Sequence, residues 1–229
     1  MAALTLAQLI TRIEDNAGRT DQSDAQCVDW LNDCLHTLAR RHNWRDLHVP
    51  DSSATMTIGT FRYSFPTGMK TCHGIRLING TASKWLIERT RRWLNQYEPY
   101  PAGSSNGIPS FYCVDGNSFD LYPPPDTAYT YYVNYTKWPT AFSSATTTAT
   151  CEITDIDDVL VAYGTAELFR KLGQDDRAAS WDMVFERRYR DARIDDDSRP
   201  NFMPVHDGVI TAGHVGPPSS YWNDPFYEG

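Results

Sequence analysis

The residues that could do chemistry in this chain are histidines, cysteines, acids and one basic aromatic cluster, and each has to be weighed by spacing. His36, His42 and His48 fall six residues apart. Metal ligation needs donors that converge, and a six-residue step on a helix turns successive side chains to different faces. Cys72-His73 sets a thiol beside an imidazole, the ingredients of a nucleophile and its base. Neighbours on a strand point to opposite sides, however, which separates the two. Arg89, Arg91, Arg92 and Trp93 can contact phosphate or sugar, or can form a locally paired surface around one buried tryptophan. The acids of Asp155-Ile156-Asp157-Asp158 and Asp195-Asp196-Asp197 read as helix ends, the second group also as a hinge. No Gly-rich phosphate loop, H-E-x-x-H or G-x-S-x-G occurs. The expectation is a chain with no catalytic set, no metal site and no cofactor, and not an enzyme.

The elements that would position these residues follow from periodicity. Thr5 with Gln8 makes a capping box ahead of Leu6, Leu9, Ile10 and Ile13, and Gly18 ends this first helix. Ser23 or Asp24 caps a second helix, buried through Cys27, Val28, Leu31, Cys34, Leu35, Leu38 and His42. Trp44 plugs its end and Pro50 stops it. A second helical pair spans Asp155 to Asp197. Asp155 is the expected N-cap, with Asp157 and Asp158 at the positive end of the helix dipole. Val159, Leu160, Tyr163, Ala166, Phe169 and Leu172 give one apolar face, Gly173 the left-handed stop. Asp175 then opens the last helix, with Ala178, Trp181, Phe185, Tyr189 and Ala192 on its stripe.

Between the helical pairs the period changes to two. Hairpins are expected at Gly59-Thr60, Asn79-Gly80 and Asp115-Gly116-Asn117. Tyr129, Tyr131, Val133 and Tyr135 alternate with polar neighbours, and Arg89 to Tyr97 suggests a short internal helix. A low-complexity run, AFSSATTTATC, leads back to the helices. The expected fold is α+β: a helical bundle of about four helices with an inserted small antiparallel β-domain of five to seven strands, and an extended C-terminal arm. The boundaries are 1–50 for the N-terminal half of the bundle, 51–152 for the β-domain, 153–197 for the C-terminal helical hairpin and 198–229 for the arm.

Composition narrows the function. The chain has 229 residues, 41% hydrophobic and 22% charged, ordinary values for a globular protein. Its formal net charge of -8 disfavours a surface dedicated to gripping nucleic acid. No run of about 20 apolar residues is present to span a membrane, and MAALTLAQLITRIED does not read as a secretory leader. Cys27, Cys34, Cys72, Cys113 and Cys151 are odd in number and lack a C-x-x-C pair, which fits reduced thiols in a cytoplasmic setting. The stretch from Pro200 to Gly229 contains no Lys or Arg, yet carries Phe202, Met203, Val205, Ile210, Tyr221, Trp222, Phe226 and Tyr227. A solvated disordered tail is normally charged and poor in aromatics. This one reads as an arm, roughly 100 Å long if fully extended, that orders on a partner.

In order and spacing, LAQLITRIEDNAGR, WLNDCLHTLARRHNWRDL, TFRYSFP, GIPSFYCVDGNSFDLYPPPD with YTYYVNY, and DDVLVAYGTAELFRKLGQDDRAASWDMVFERRYRD make one set. With this set the chain resembles the head-to-tail adaptor (connector) proteins of tailed bacteriophages, from about residue 4 to 195. The resemblance implies a virion protein at the head-tail junction, made in the bacterial host cytoplasm. It implies a ring of twelve copies under the portal protein that extends the DNA channel and offers a platform for tail nozzle or fibre proteins. Genomic DNA would pass through the lumen without sequence-specific binding, and no membrane is involved. The arm residues named above would anchor the ring to the portal. Trp181, Arg187 and Arg190 are the candidates for contact with the neighbouring subunit. The alternative is a carbohydrate- or receptor-binding module for tail or fibre attachment, built on an aromatic β-domain. A cell-wall hydrolase with paired carboxylates is a further rival.

Overall fold

The computed structural model of the chain describes residues 3–19, 23–99 and 103–198; the segment expected to form the arm lies outside them from residue 199 on. The architecture is α+β, with five helices and eight strands among the described residues. Contacts divide it into a helical unit, up to His48 and again from Trp138, and a β unit over Val49–Lys137. The second change falls at Lys137, ahead of the boundary expected at 152. The segment from Trp138 to Ile156 belongs with the helices because Phe142, Ile153 and Ile156 are buried in the helical core.

That core is laid against α4 (Asp157–Lys171), which meets α1 (Leu6–Ala17), α2 (Asp24–Arg41) and α5 (Asp175–Ser198). The single apolar face expected for α4 is wrong. Val159, Leu160, Val161 and Ala162 are four consecutive buried residues, and Gly164, Thr165, Ala166, Leu168 and Phe169 follow them. A helix buried over most of its circumference, with only Tyr163, Glu167 and its two ends reaching solvent, is central rather than one-faced. At its midpoint α1 crosses so closely that a Cβ on Gly164 would lie 2.4 Å from Ile13 Cδ1 and 3.1 Å from its Cγ1.

The helix ends show how the polar backbone is satisfied. The capping box on α1 forms as expected, with Thr5 Oγ1 accepting from Gln8 N–H and Gln8 Oε1 accepting from Thr5 N–H. Other N-terminal donors go to distant residues: Leu6 N–H to Ala149 O at 2.8 Å, Ala7 N–H to Thr147 O at 3.0 Å and Leu4 N–H to Asp157 Oδ2 at 2.7 Å. The low-complexity run is therefore the lid on the first turn of α1, a place where unpaired N–H groups must find acceptors. Asn32 pins the same segment by a two-way bond to the backbone of Phe142 (2.7 and 3.1 Å), and Asp46 holds Thr154. Asp155 does not cap α4. It adopts a left-handed φ of 59°, Ile156 takes the cap position without a side-chain bond, and Asp157 serves α1 instead. Ser23 precedes α2 but makes no side-chain cap bond. Gly173, at φ 68°, does stop α4 as expected.

The β unit holds two four-stranded sheets, β1 (His48–Thr55), β8 (Thr130–Lys137), β3 (Met69–Asn79), β4 (Ala82–Trp85) and β2 (Arg62–Ser64), β7 (Ser118–Tyr122), β6 (Phe111–Asp115), β5 (Ile87–Glu88). Hairpins form at Gly80 and Gly116, both left-handed. Gly59-Thr60 is not a hairpin, because β1 and β2 lie in different sheets. The small β5/β6 pair is parallel, an exception to the antiparallel expectation. Tyr129, Tyr131, Val133 and Tyr135 turn inward as their alternation requires, and they share one core with Ile75, Leu77, Tyr112, Phe119 and Leu121. Phe119 is its hub, with ring centroids 4.9 Å from Phe65 and 5.7 Å from Tyr63 and Tyr131.

The α1/α4 crossing makes a direct prediction. Gly164→Ala gains about 1 kcal/mol of helix propensity but overpacks a filled core, which typically costs 1–3 kcal/mol. Urea unfolding should show net destabilisation in the wild-type background. In an Ile13→Val background, where Cδ1 is gone, the same substitution should be neutral or stabilising.

Candidate functional site

Two features of α5 combine into a candidate interaction surface: how its C-terminal end is held, and what its outer face presents. Asp196, expected in a solvated helix end and hinge, is only 3% exposed. Its Oδ2 lies 2.9 Å from Nε2 of His42 and accepts from Arg45 N–H at 3.4 Å. Arg45 Nη2 in turn donates to Asp197 O at 3.0 Å, satisfying a last-turn carbonyl that the helix itself leaves open. Ring contacts extend the anchor, with Trp44 4.9 Å from His42 and 6.3 Å from Tyr189. Trp44 is buried and donates through Nε1 to Leu38 O. The end of α5 is therefore tied to the corner after α2 and is not a hinge. Whatever follows Ser198 departs from a held point.

Along α5, most arginines are engaged within the fold. Arg188 donates to Asp158 O at 2.9 Å, Arg177 lies over Phe169 and Arg193 faces Asp197. From the facing helices, Arg41 bonds Glu186 at 2.7 Å and covers the rings of Phe185 and Tyr189, while Arg170 of α4 bonds Glu167 and Asp182. Arg187 and Arg190 are exposed and make no such contact among the described residues. They share their face with Met183, 76% exposed, and Ile194, 58% exposed. The steps 183, 187, 190, 194 run four, three, four, which is one straight stripe on a helix. It lies opposite Phe185 and Tyr189.

Of the residues expected at a subunit contact, the fold brings Arg187 and Arg190 together but leaves Trp181 elsewhere. Trp181 is half-buried against the helical core. Met183 and Ile194 lie off the inward apolar stripe of α5 that the spacing of Ala178, Phe185 and Tyr189 marks. A second stripe at the same spacing was readable. The arm residues Phe202, Met203, Val205, Ile210, Tyr221, Trp222, Phe226 and Tyr227 lie outside the described residues.

The chemical candidates do not converge. His36 sits beside Trp138, with centroids 5.8 Å apart, while His42 is held by Asp196. No group of three or more His, Cys, Asp or Glu suited to a metal occurs among the described residues. His73 bonds Thr136 Oγ1 at 2.7 Å rather than Cys72. Burial pushes the Cys72 thiol up to about 11, and does the same for Cys27, to about 11, and Cys151, to about 12. These thiols are protonated at neutral pH and poor nucleophiles.

In the basic aromatic cluster Arg91 is ion-paired and Arg89 lies over Trp93, while Arg92 is exposed and Trp93 is half-buried rather than buried. Arg62 forks onto Asp120, which is fully buried, with bonds of 2.6 and 2.9 Å, and Arg91 adds a single bond to Asp120 Oδ2. The neighbours of Asp120, Phe119 and Leu121, lie in the core, and Arg62 together with Arg91 of α3 (Arg91–Tyr97) covers Asp120. Trp93 is stacked on Tyr97 with ring centroids 4.9 Å apart, and Arg89 lies 5.3 Å from its ring.

Two predictions follow from these environments. Asp196→Ala strips a buried acceptor from two donors, a loss of about 2–3 kcal/mol, and hydrogen exchange should quicken first in the last turn of α5. Raised thiol pKa values mean that the native state holds protons the unfolded state has released between pH 9.0 and about 11–12. That stability is fully present below pH 9 and is lost as pH rises through the folded values. Iodoacetamide at neutral pH should accordingly label Cys27 and Cys151 slowly in native protein and fully in denaturant.

The family model for the SU10 adaptor protein matches residues 4–206. That is most of the chain, and the protein belongs to this family of phage head-to-tail adaptors. No match is found among curated proteins. The family is a structural one and its members are virion components. Among the described residues no helix is long and apolar enough to cross a membrane.

Proposed function

We propose that this member of the SU10 adaptor family forms a ring of twelve copies beneath the portal, continuing the DNA channel and carrying the tail nozzle or fibre proteins. The match over residues 4–206 to a head-to-tail adaptor family carries this reading. Within the ring each subunit contributes a bundle of four helices, split in sequence by an inserted β-domain. The β-domain surface meets the tail, and genomic DNA passes the lumen without sequence-specific contacts. A net charge of -8 favours that passage, since like charges keep phosphate from adhering.

The C-terminal arm is the link to the portal, with Phe202, Met203, Val205, Ile210, Tyr221, Trp222, Phe226 and Tyr227 as its anchors. Its aromatic rings each bury on the order of 150–250 Å² in a fitting pocket. Support comes from the end of α5: an arm leaving a helix held by Asp196, His42 and Arg45 transmits its attachment to the helical core instead of dissipating it in a loose joint. Trp181, Arg187 and Arg190 contribute to the contact with the neighbouring subunit.

Deletion of residues 199–229 should leave a chain with wild-type circular dichroism and solubility that no longer joins portal-bearing heads in a sedimentation assay. Normal joining by the truncated chain would show that the arm is not the link.

A further inference from the structure

The outward stripe of α5 has the composition of an interface and no partner among the described residues. We propose that it seats a second copy of this chain through α2, with Arg187 and Arg190 facing Asp29 and Asp33 of the neighbouring copy. The proposal rests on the ring reading above and names the two surfaces that would close it.

Met183 and Ile194 bracket the two arginines, and both stay largely in solvent in the isolated chain. Arginine flanked by large apolar side chains is the composition enriched where proteins bind proteins. The occupant must therefore be acidic and must offer its charges about one helical turn apart. α5 of a second copy does not meet that need. A twofold axis through the middle of the stripe would set Arg187 of one copy against Arg190 of the other, and like charges in register are destabilising. The acids Asp191 and Asp195 lie on α5 itself, so they could come to this stripe only by that same disfavoured helix pairing.

α2 meets the need. Asp29 and Asp33 are exposed, one turn apart on the same face, and engaged by no cation among the described residues. Their axial separation is about 6 Å and that of Arg187 and Arg190 about 4.5 Å, close enough for paired contacts. Asp24, Asp175 and Asp176 have a local reason for their charge, because they sit in first turns where the helix dipole favours acids. Asp29 and Asp33 are in the interior of α2, where Asp is a weak helix former, and nothing in the fold repays them. Both helices belong to the one helical unit. A contact between two different patches of identical chains is head-to-tail, the kind that closes rings.

The test is a charge exchange in the full chain, read by native mass spectrometry and electron microscopy of protein mixed with portal-bearing heads. Arg187→Glu with Arg190→Glu should cut ring assembly on the order of tenfold or more, and Asp29→Arg with Asp33→Arg should do the same. All four substitutions in one chain should restore assembly, because every interface then carries the reversed pair. Circular dichroism should be unchanged throughout, since none of the four side chains has an ionic partner in the described fold. Loss in the α5 variant without loss in the α2 variant would overturn the pairing, as would a folded fourfold variant that stays unassembled. A wild-type chain that remains monomeric on portal-bearing heads would overturn the ring reading itself, and the pairing with it.

Discussion

The helical unit depends on the close approach of α1 to α4 at Gly164. Only a residue without a Cβ lets Ile13 reach the α4 backbone at this depth, and the helix receiving it is buried over most of its circumference. α4 cannot be stable by itself in water, and neither α1 nor α2 has a complete core without it. Since more than a hundred residues separate α1 from α4, the helical core waits for a distant part of the chain. The intervening β unit has its own core around Phe119 and does not share that dependence.

The acids do much of the joining, which gives the net charge a structural meaning. Asp157 holds the backbone ahead of α1, Asp46 holds Thr154, Asp196 holds His42 and the Arg45 amide, and Asp120 gathers two arginines in the β unit. Each is an acceptor for donors distant in sequence, and Asp120 and Asp196 are themselves buried, where an unpaired polar group costs more than a hydrogen bond gains. Acids with no such duty, Asp29 and Asp33 among them, stand out by contrast. The same sorting applies to α5, where, among the described residues, Arg177, Arg188 and Arg193 are engaged and Arg187 and Arg190 are not.

These contrasts bear on an adaptor in a physical way. A part that must hold two larger bodies together needs a rigid centre and adhesive edges. Here the centre is a helix core whose last turn is pinned, and its exposed side carries Arg187 and Arg190 between Met183 and Ile194. Reactive groups would serve no purpose in such a part, and the buried thiols are held in their protonated, inert form by desolvation.

Local periodicity was enough to determine the helices, two of the hairpins, the Thr5–Gln8 capping box and the left-handed stops at Gly18 and Gly173, because each depends on residues within a few positions of one another. The α+β class and the family were equally legible, being carried by the order of such segments. Tertiary structure alone decided that α4 is central rather than one-faced, that Asp155 does not cap it, and that AFSSATTTATC closes α1. It also decided that Asp196 and Asp120 are buried and that Gly59 joins two sheets instead of two paired strands. All of these turn on partners dozens to more than a hundred residues away, and no local pattern records which distant donor or side chain will arrive to cover a given group.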